Sequence, residues 1–484
     1  MIPLPRSREK ASSGERSLGV IAGLEPAPNA DFLLKLTEAS EAPANKGRFN
    51  VVLEQRAAAR AGEPRTPAAR QLFIFDTLAS FAQRGVSSVV LPCFSSLAIL
   101  DELGAYSPLP IASLPAALLA HIQGHLPGIG RVGIVTSEDL RAAKVFERHF
   151  PQYELLYSRW EGGDSPESFR DTCVELASRG AQLIIPGLSA LVPVAARIGT
   201  VAVPVLDPHR IYANHVVSEP APPPPERPFK LGVVGGVGPA ATVDFLQKVL
   251  RHTPAHRDQD HLKLLVEQNP QIPDRTAHLI GQGPDPTLAL YATCRKLQAG
   301  EADLIAIPCN TAHAFIDLIQ PHLDIPILNM LTVTVGHVRE SWPKLQTVGL
   351  LATTGTLSTG IYHRALQKQG LRPIVPPPLL QARMMEGIYG PRGIKAGFTS
   401  GPCVHDIHGV IDELAQQGVE VIILGCTELP LVFPEREVRV GNKMISLVDP
   451  TEILARRCVA HALTRTRWEG ELGRGTGQSD PARS

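Results

Sequence analysis

The chain has 484 residues, roughly two to three times the length of an ordinary domain, so more than one hydrophobic core is expected. Its 44% hydrophobic and 19% charged residues are typical of a globular protein and exclude a disordered chain. Basic and acidic residues both number 47, so no net positive field is available to bind nucleic acid or an anionic membrane. No apolar run approaches the roughly 20 residues of a membrane helix and the first residues lack the apolar core of a signal peptide, so we expect a cytosolic protein.

A proline-rich stretch near the middle divides the chain. Residues 218–229 cannot form a helix or a central strand, and they predict a stiff extended linker. Two domains are therefore predicted, at 17–217 and 230–468. The polar ends, 1–16 and 469–484, are expected to be mobile tails.

The two halves of the chain repeat one another. Residues 18–33 align with 231–246 at an offset of 213, with nine identities in sixteen positions. The offset later rises from 216 to 238, so the first half lacks about 22 residues that the second half has between Gly349 and Gly425. Self-similarity over this length predicts a tandem duplication.

Within each half, short apolar runs rich in β-forming residues alternate with helical patterns, which is typical of βαβ units around a parallel sheet. The predicted strands of the second half are 231–234, 262–266, 304–307, 348–351 and 421–424. A first helix is predicted to begin at Pro239, and a last one to run from about 449 to 464. The predicted fold class is α/β, with tandem units that each contain two pseudo-symmetric lobes with parallel sheets.

Seven cysteines are an odd and sparse set for this length, which argues against a disulfide scaffold. None lies in a C-x-x-C pair, and no H-E-x-x-H helix accompanies them, so a zinc site is not expected. Any functional cysteine should therefore act as a thiol.

Cys309 and Cys426 have equivalent places, one in each predicted lobe of the second half. Each follows an apolar strand and precedes a predicted helix, where strand ends border the ligand crevice of a parallel sheet. A helix N-terminus is expected to lower a thiol pKa below its free value of about 8.5. A lone cysteine is more often a small buried hydrophobe, but two in matching positions could form an acid/base pair around one carbon. Nearby His313 could contact a substrate or be structural.

Five motifs in the second half then resemble one family. They are GGVGPAAT at 235–242, NPQIPDRT at 269–276, PCNTAH at 308–313, ATTGT at 352–356 and LGCTEL at 424–429. Together they resemble the aspartate/glutamate racemases, which work without pyridoxal phosphate. The resemblance is strong from 230 to about 463, and weaker but continuous over 17–217.

The resemblance implies racemisation of an amino acid by two bases and no cofactor or metal. One thiolate removes the α-proton and the opposite thiol returns a proton to the other face. The residues that it places around the substrate are Asn310, Thr311, Thr427, Gly236, Thr353, Arg275 and Lys395. Arg275 and Lys395 would bind the carboxylates of a dicarboxylic amino acid.

The first half departs from this pattern. Leu188 replaces Cys426, and Ala190 replaces Glu428, although Cys93 is kept at the position of Cys309. Glu25 stands where the second half has Gly238, while Arg65-Thr66 still resembles Arg275-Thr276. We therefore predict that the first copy is not catalytic. Because family members commonly form homodimers, residues 17–217 are predicted to act as an intramolecular pseudo-dimer partner.

Three alternatives remain open from the sequence. Residues 236–241 fit G-x-G-x-x-A after a strand, with Glu267 after the next strand, as in a nucleotide-dependent oxidoreductase. Related isomerases and decarboxylases of the hydantoin racemase, maleate isomerase and arylmalonate decarboxylase types would keep the fold and change the reaction. A non-catalytic amino-acid-binding protein is the third. The presence of both Cys309 and Cys426, with Arg275 and Lys395, favours amino-acid racemisation.

Overall fold

A computed structural model describes residues 16–22, 26–43, 45, 49–54, 67–161, 163, 165–223 and 227–472. The chain divides into two compact units, Met1–Arg227 and Pro228–Ser484. Each has its own hydrophobic clusters of strand and helix residues. None of the helices in the described ranges has the length and hydropathy that a membrane span requires.

The first unit contains two parallel sheets. Its strands are β1 Arg16–Ile21, β2 Phe49–Glu54, β3 Ser88–Val90, β4 Ile111–Ala112, β5 Arg131–Thr136, β6 Glu154–Arg159 and β7 Leu183–Pro186. The strand orders are β2-β1-β3-β4 and β6-β5-β7. Its helices are α1 Pro26–Glu41, α2 Pro67–Gln83, α3 Leu100–Tyr106, α4 Leu114–His125, α5 Glu138–Ala142, α6 Val145–His149, α7 Pro166–Ser178, α8 Leu191–Ala195 and α9 Pro208–Ser218.

The second unit repeats this plan with a larger second sheet. Its strands are β8 Lys230–Gly235, β9 Lys263–Gln268, β10 Leu304–Ala306, β11 Thr347–Ala352, β12 Arg372–Ile374, β13 Val421–Gly425, β14 Glu437–Val440 and β15 Lys443–Val448. The strand orders are β10-β8-β9 and β12-β11-β13-β15-β14. We call the parts built on these two sheets the first lobe and the second lobe.

The helices of the second unit surround both sheets. They are α10 Pro239–His252, α11 Arg275–Leu279, α12 Thr287–Ala299, α13 Ile316–Ile319, α14 Met330–Ser341, α15 Thr354–Thr359, α16 Ile361–Lys368, α17 Pro378–Tyr389, α18 Pro402–Gln416 and α19 Pro450–Leu472. The mixed α/β class with parallel sheets is confirmed. The lobes differ more than predicted, because β14 pairs antiparallel with β15 at the edge of the second sheet.

Three strands of the second unit were not predicted from the sequence. They are β12, β14 and β15. β12 is a three-residue edge strand that contains Pro373, and β14 is the opposite edge strand, in which charged residues alternate with valine. Short or charged edge strands lack the continuous apolar run of a buried strand, so periodicity does not reveal them. β15 lies inside the sheet, between β13 and β14, and begins at Lys443.

The predicted ends and linker differ in part from the structure. Arg16, assigned to the tail 1–16, is the first residue of β1 and pairs with Phe49. The last helix runs to Leu472, past the predicted end at 464, because 465–472 contains no proline to stop it. Residues 1–15 and 473–484, and 224–226 of the predicted linker, lie outside the described residues.

The segment that the first copy lacks is located between β12 and α18. There the second unit has 27 residues, 375–401, where the first unit has six between β6 and α7, 160–165. This additional segment contains α17 and Lys395. The largest difference between the copies therefore lies next to residues predicted to bind the substrate.

Candidate active site

The two thiols predicted to be catalytic follow the carboxyl ends of central strands. Cys309 comes after β10 in the first lobe, and Cys426 comes after β13 in the second lobe. Both are free thiols, 6% and 5% exposed. Short 3-10 turns at Thr311–Ala314 and Leu429–Leu431 follow them, so the predicted α-helix starts are wrong. A turn this short aligns few peptide dipoles and offers a thiolate little stabilisation.

Arg275 lies beside Cys309 at the beginning of α11. Its guanidinium donates to the backbone carbonyls of Val237 at 2.9 Å and Pro273 at 3.2 Å. Burial lowers the pKa of Arg275, but the charges of Cys309 and Asp274 raise the pKa overall. Its buried Nε atom has no hydrogen-bond partner among the described residues. A buried donor without a partner is costly, so it marks a place where an anion could bind.

His313 fixes the backbone of Cys309. The backbone N–H of Met330 donates to His313 Nε2 at 2.9 Å, so the ring proton is on Nδ1, which donates to the Cys309 carbonyl at 2.9 Å. Burial lowers the pKa of His313 to about 4, which keeps the ring neutral at physiological pH. Of the two interpretations, the structure supports the structural one.

Asn310 adds a second unsatisfied donor next to Cys309. Its side-chain oxygen accepts a hydrogen bond from the Tyr362 hydroxyl at 2.6 Å, while its buried Nδ2 has no partner within the described part of the chain. A buried amide N–H without a partner is costly, so it marks a place where a ligand could bind.

Buried threonines join the two lobes at this point. Thr276 donates to Thr353 at 3.0 Å, and Thr311 lies 2.8 Å from Thr356, oxygen to oxygen. Thr311 and Thr353 are 3.4 Å apart. Two of the predicted substrate-binding residues, Thr311 and Thr353, are thus brought together across the lobes.

Cys426 has a carboxylate neighbour that the sequence interpretation did not assign a role. Its Sγ atom donates to Glu428 Oε2 at 3.1 Å, and Lys395 Nζ lies 2.5 Å from Glu428 Oε1. Thr427 donates to the same carboxylate at 3.5 Å. The predicted substrate lysine is therefore engaged with a glutamate two residues after the cysteine.

The surroundings of Cys426 contradict the prediction that its thiol pKa is lowered. Burial, and next the negative charge of Glu428, raise the pKa of the Cys426 thiol well above its usual value. The pKa of Lys395 is lowered by burial but raised overall by Glu428 and Cys426. Cys426 is therefore a protonated thiol at neutral pH, and the lysine is a cation.

The loop between β8 and α10 lies between the two cysteine neighbourhoods. The Val237 carbonyl accepts from Arg275 beside Cys309, and a Cβ atom added to Gly238 would lie 2.7 Å from Glu428 Oε1 beside Cys426. Gly236 has φ +85°, and its N–H, predicted to be near the substrate, donates to Thr242 at 3.2 Å. One glycine loop therefore contacts Arg275, a neighbour of Cys309, and Glu428, a neighbour of Cys426.

Tyr389, at the end of α17, was missed by sequence reasoning. Its hydroxyl donates to Asp274 at 3.3 Å, and its ring centre lies 5.2 Å from Lys395 Nζ. Tyr389 belongs to the additional segment of the second unit. The presence of that insertion in only one copy is the sequence feature that could have pointed to this residue. The tyrosine bridges the second lobe to the first beside the candidate site.

The equivalent place in the first unit is apolar. Phe94, after Cys93, is 1% exposed and packs 6.0 Å from the Phe146 ring, centroid to centroid. Leu188 packs against the same core. The backbone N–H of Phe94 donates to Ser189 Oγ at 3.0 Å. Glu25, Arg65 and Thr66 lie outside the described residues.

No group of three or more His, Cys, Asp or Glu side chains within the described residues could hold a metal ion. The chemistry that the described site offers is that of two thiols, a carboxylate, a lysine and an arginine. These side chains can transfer protons and bind carboxylates.

Comparison with known proteins places this site in a family. The sequence model of the Asp/Glu/Hydantoin racemase family matches residues 21–216 and again 234–458. The chain therefore belongs to the Asp/Glu/Hydantoin racemase family, with two copies of its domain.

Individual relatives each match part of this chain. The broad specificity amino-acid racemase RacX of Bacillus subtilis is 24% identical over 238 residues, which are 48% of this chain and 96% of that protein. A glutamate racemase of Prochlorococcus marinus is 27% identical over 154 residues, 32% of this chain and 54% of that one. Among solved structures, Picrophilus torridus aspartate racemase is 27% identical with a TM-score of 0.42, over 48% of this chain and 94% of that chain.

Proposed function

We propose that the second unit is an amino-acid racemase that interconverts the L and D forms of aspartate, glutamate or a related amino acid without a cofactor. The observation that carries this proposal is the pair Cys309 and Cys426, which follow β10 and β13 in opposite lobes and whose neighbours Arg275 and Glu428 both lie against the same glycine loop. Membership of the racemase family supports the reaction class.

The two thiols would work on opposite faces of the α-carbon. One sulfur, as thiolate, takes the α-proton, and the other gives a proton to the opposite face, which inverts the stereocentre. The α-proton of an amino acid is weakly acidic, so negative charge that moves onto the α-carboxylate must be stabilised. The unpaired N–H donors of Arg275 and Asn310 are suited to that carboxylate. The hydroxyls of Thr311, Thr353 and Thr427 are further donors.

The substrate class follows from the cations of the site. Arg275 is buried beside Cys309, and Lys395 lies near Cys426, so a dicarboxylic amino acid could place one carboxylate near each. Lys395 already binds Glu428, so a distal carboxylate would share this lysine with the protein's own glutamate.

We further propose that the first unit is not catalytic and acts as an internal pseudo-dimer partner of the second. Its core fills the place of Asn310 and Cys426 with Phe94 and Leu188. All the cysteines are free thiols, which is typical of proteins in a reducing compartment and supports a cytosolic location.

The test is racemisation by the full chain with no added cofactor. A panel of D- and L-amino acids is incubated with the protein in deuterium oxide, followed by chiral separation and mass spectrometry. Turnover of an acidic amino acid, with deuterium entering only the α-position, is expected. Products without inversion, or turnover that survives both Cys309→Ala and Cys426→Ala, would exclude the two-thiol reaction.

A further inference from the structure

Tyr362 lies buried behind the candidate active site, and the proposed reaction gives it no role. It is the second residue of α16, and its side chain is fully buried in the core of the second lobe with Leu350 and Leu366. Its hydroxyl donates to Asn310 Oδ1 at 2.6 Å. Because Asn310 follows Cys309 in the first lobe, this hydrogen bond crosses from one lobe to the other.

The hydrogen bond determines which end of the Asn310 amide is free. Burial raises the pKa of Tyr362, so the hydroxyl keeps its proton and remains a donor at neutral pH. The amide oxygen accepts from this donor, whereas the amide nitrogen carries only donors. With Oδ1 engaged by Tyr362, Nδ2 of Asn310 is directed away from the hydroxyl and has no partner among the described residues.

The Asn310 amide has one anchor, and that anchor is rigid. Within the described part of the chain, its side chain is hydrogen-bonded to Tyr362 alone. The terminal torsion of an asparagine is broad, so a fixed partner is needed to hold the amide in one orientation. A tyrosine ring packed in a core supplies such a partner, because close-packed side chains stay in their rotamers. Tyr362 is therefore suited to hold the N–H donor in place before a ligand arrives.

We propose that Tyr362 positions the side-chain amide of Asn310 so that Nδ2 donates to the α-carboxylate of the substrate amino acid. This inference rests on the proposed racemase function and adds a positioning residue to its site. Tyr362 does not contact the substrate and acts through Asn310. A donor that is aligned in advance needs no reorganisation when negative charge develops on the carboxylate.

The location of Tyr362 links this donor to the arrangement of the lobes. The tyrosine belongs to the second lobe and Asn310 to the first, so the amide is held only while the two lobes are together. Cys309 and Cys426 also come from opposite lobes. The carboxylate donor is thus oriented in the same arrangement that lets both thiols act on one substrate.

The first unit provides an internal comparison for this pair. At the offset of 216 between the two copies, Phe94 is the counterpart of Asn310 and Phe146 is the counterpart of Tyr362. Phe146, like Tyr362, is the second residue of its helix, and the rings of Phe94 and Phe146 pack with their centroids 6.0 Å apart. A hydrogen-bonded Asn–Tyr pair in the second unit is therefore an apolar Phe–Phe pair in the first.

This exchange shows what the fold requires and what it does not. Loss of either polar group alone would leave the other buried without its partner, so the two are expected to change together. The apolar pair of the first unit satisfies packing and leaves no donor unpaired. The polar pair of the second unit leaves Asn310 Nδ2 unsatisfied, and a bound carboxylate would offset that cost.

A double-mutant cycle in the full chain tests the inference. The parent, Tyr362→Phe, Asn310→Ala and the double variant are compared in kcat and KM for the acidic amino acid that the parent racemises fastest. Asn310→Ala should lower kcat/KM about 100-fold, since a donor to the developing charge is removed. Tyr362→Phe should lower it about tenfold, because the donor remains but is no longer aligned.

The cycle also separates positioning from general support of the fold. About threefold of the Tyr362→Phe effect should be in KM and the rest in kcat, because the carboxylate gains charge in the transition state. When Asn310 is already alanine, Tyr362→Phe should change kcat/KM by less than about twofold. An equal loss with and without the Asn310 amide would show that Tyr362 does not act through it and would overturn the inference.

Tyr212→Phe is the matched control. Tyr212 of the first unit is also fully buried, and its hydroxyl donates to the Ala112 carbonyl at 2.6 Å. Both tyrosine variants lose one buried hydroxyl, and denaturant unfolding compares their stabilities. Tyr212→Phe should leave kcat/KM unchanged. If it lowers kcat/KM as much as Tyr362→Phe does, the effect at Tyr362 is only structural.

Binding of succinate separates this inference from the proposed function. Succinate has two carboxylates and no stereocentre, so it can be measured by calorimetry without turnover. Tyr362→Phe should weaken its binding about threefold, and should weaken it no further in the Asn310→Ala background. Absence of racemisation by the parent contradicts the function, whereas this binding pattern would still support the positioning role. Equal affinity of the parent and Tyr362→Phe, or no binding by the parent, overturns the inference.

A crystal structure of the parent with succinate tests the geometry without any variant, and it serves where Tyr362→Phe does not fold. Asn310 Nδ2 is expected within hydrogen-bonding distance of one succinate carboxylate, while Oδ1 stays on the Tyr362 hydroxyl. Succinate bound away from Asn310, or an amide turned with its nitrogen toward Tyr362, would contradict the proposed role.

Discussion

The two units keep the same framework and differ in the groups that could do chemistry. In the first unit the buried Lys35 bridges Asp31 at 2.7 Å and Asp207 at 2.9 Å, linking α1 to the start of α9. In the second unit Lys248 bridges Asp244 and Asp449 in the same way, linking α10 to the start of α19. The buried lysine bridge is thus repeated, while the second thiol and its carboxylate neighbour are present in one unit only.

Residues that both units keep are expected to stabilise the fold, and residues that only the second unit has are expected to act in its site. A buried cation is stabilised by the carboxylates that pair with it, so the repeated bridge is a feature of the fold that both units share. In the first unit, leucine and alanine occupy the places of the thiol and the glutamate, so the shared framework does not require those two side chains. Comparison of the copies therefore separates stability from function inside one chain.

The largest expected effect tests the thiols. Cys426→Ala should lower racemase kcat about 10³-fold, because a positioned acid/base group contributes roughly 10² to 10⁴. Cys93→Ala, at the first unit's counterpart of Cys309, should leave kcat unchanged. Chiral chromatography of the products measures both. If Cys93→Ala inactivates the chain as strongly, the first unit takes part in the chemistry.

The next effect tests carboxylate binding. Arg275→Ala should lower kcat/KM for an acidic amino acid about 10- to 100-fold, since charge-assisted hydrogen bonds are lost. Arg275→Lys should recover little, because lysine lacks the forked donors. Arg65→Ala is the matched change in the first unit and should have no effect. Unchanged kinetics of Arg275→Ala on aspartate would remove Arg275 from the site.

A third prediction transfers a residue of the first copy into the second. Gly238 has φ +129°, and its Cβ would crowd Glu428, so Gly238→Glu should cost about 2 kcal/mol of unfolding free energy. Adding Glu428→Ala reproduces both residues of the first copy and should restore part of that stability. Denaturant unfolding of the single and double variants measures this coupling. Strict additivity would show that the two positions do not interact.

The smallest effect is a pH dependence with opposite signs in the two units. Burial raises the pKa of Asp31, but His209 and Lys35 lower the pKa overall, whereas burial raises the pKa of Asp244 despite Lys248. Asp31 therefore stabilises the fold above its unfolded pKa of about 3.9, and this is lost as the pH falls through the lower folded value. Asp244 binds its proton more tightly when folded, so acidification favours its unit.

Hydrogen exchange of α1 and α10 peptides at pH 7 and pH 4 can follow each unit separately. Asp31→Asn should increase exchange of α1 at pH 7 and have a smaller effect at pH 4. Asp244→Asn should not increase exchange of α10 at pH 7, since a neutral side chain imitates the protonated form. Equal changes in both helices at both pH values would contradict this assignment.

Much of the candidate site could be read from local sequence, but its chemistry could not. The positions of Cys309 and Cys426 at strand ends follow from apolar runs that stop at these residues. The state of Cys426 depends on burial and on Glu428 and Lys395, and the lysine is 33 positions away from the glutamate. A prediction based only on a helix dipole gave the wrong direction of the pKa shift. Tyr389 was missed because its contact with Asp274 joins residues 115 positions apart.

The sequence by itself determined the duplication, the α/β class and the racemase motifs, because periodicity and motif spacing are local properties of a chain. Only the tertiary structure decided that Arg275 lies beside Cys309, that Glu428 binds both Cys426 and Lys395, and that His313 is structural. These outcomes depend on which distant side chains share a buried site, where low dielectric and a few ångströms control protonation.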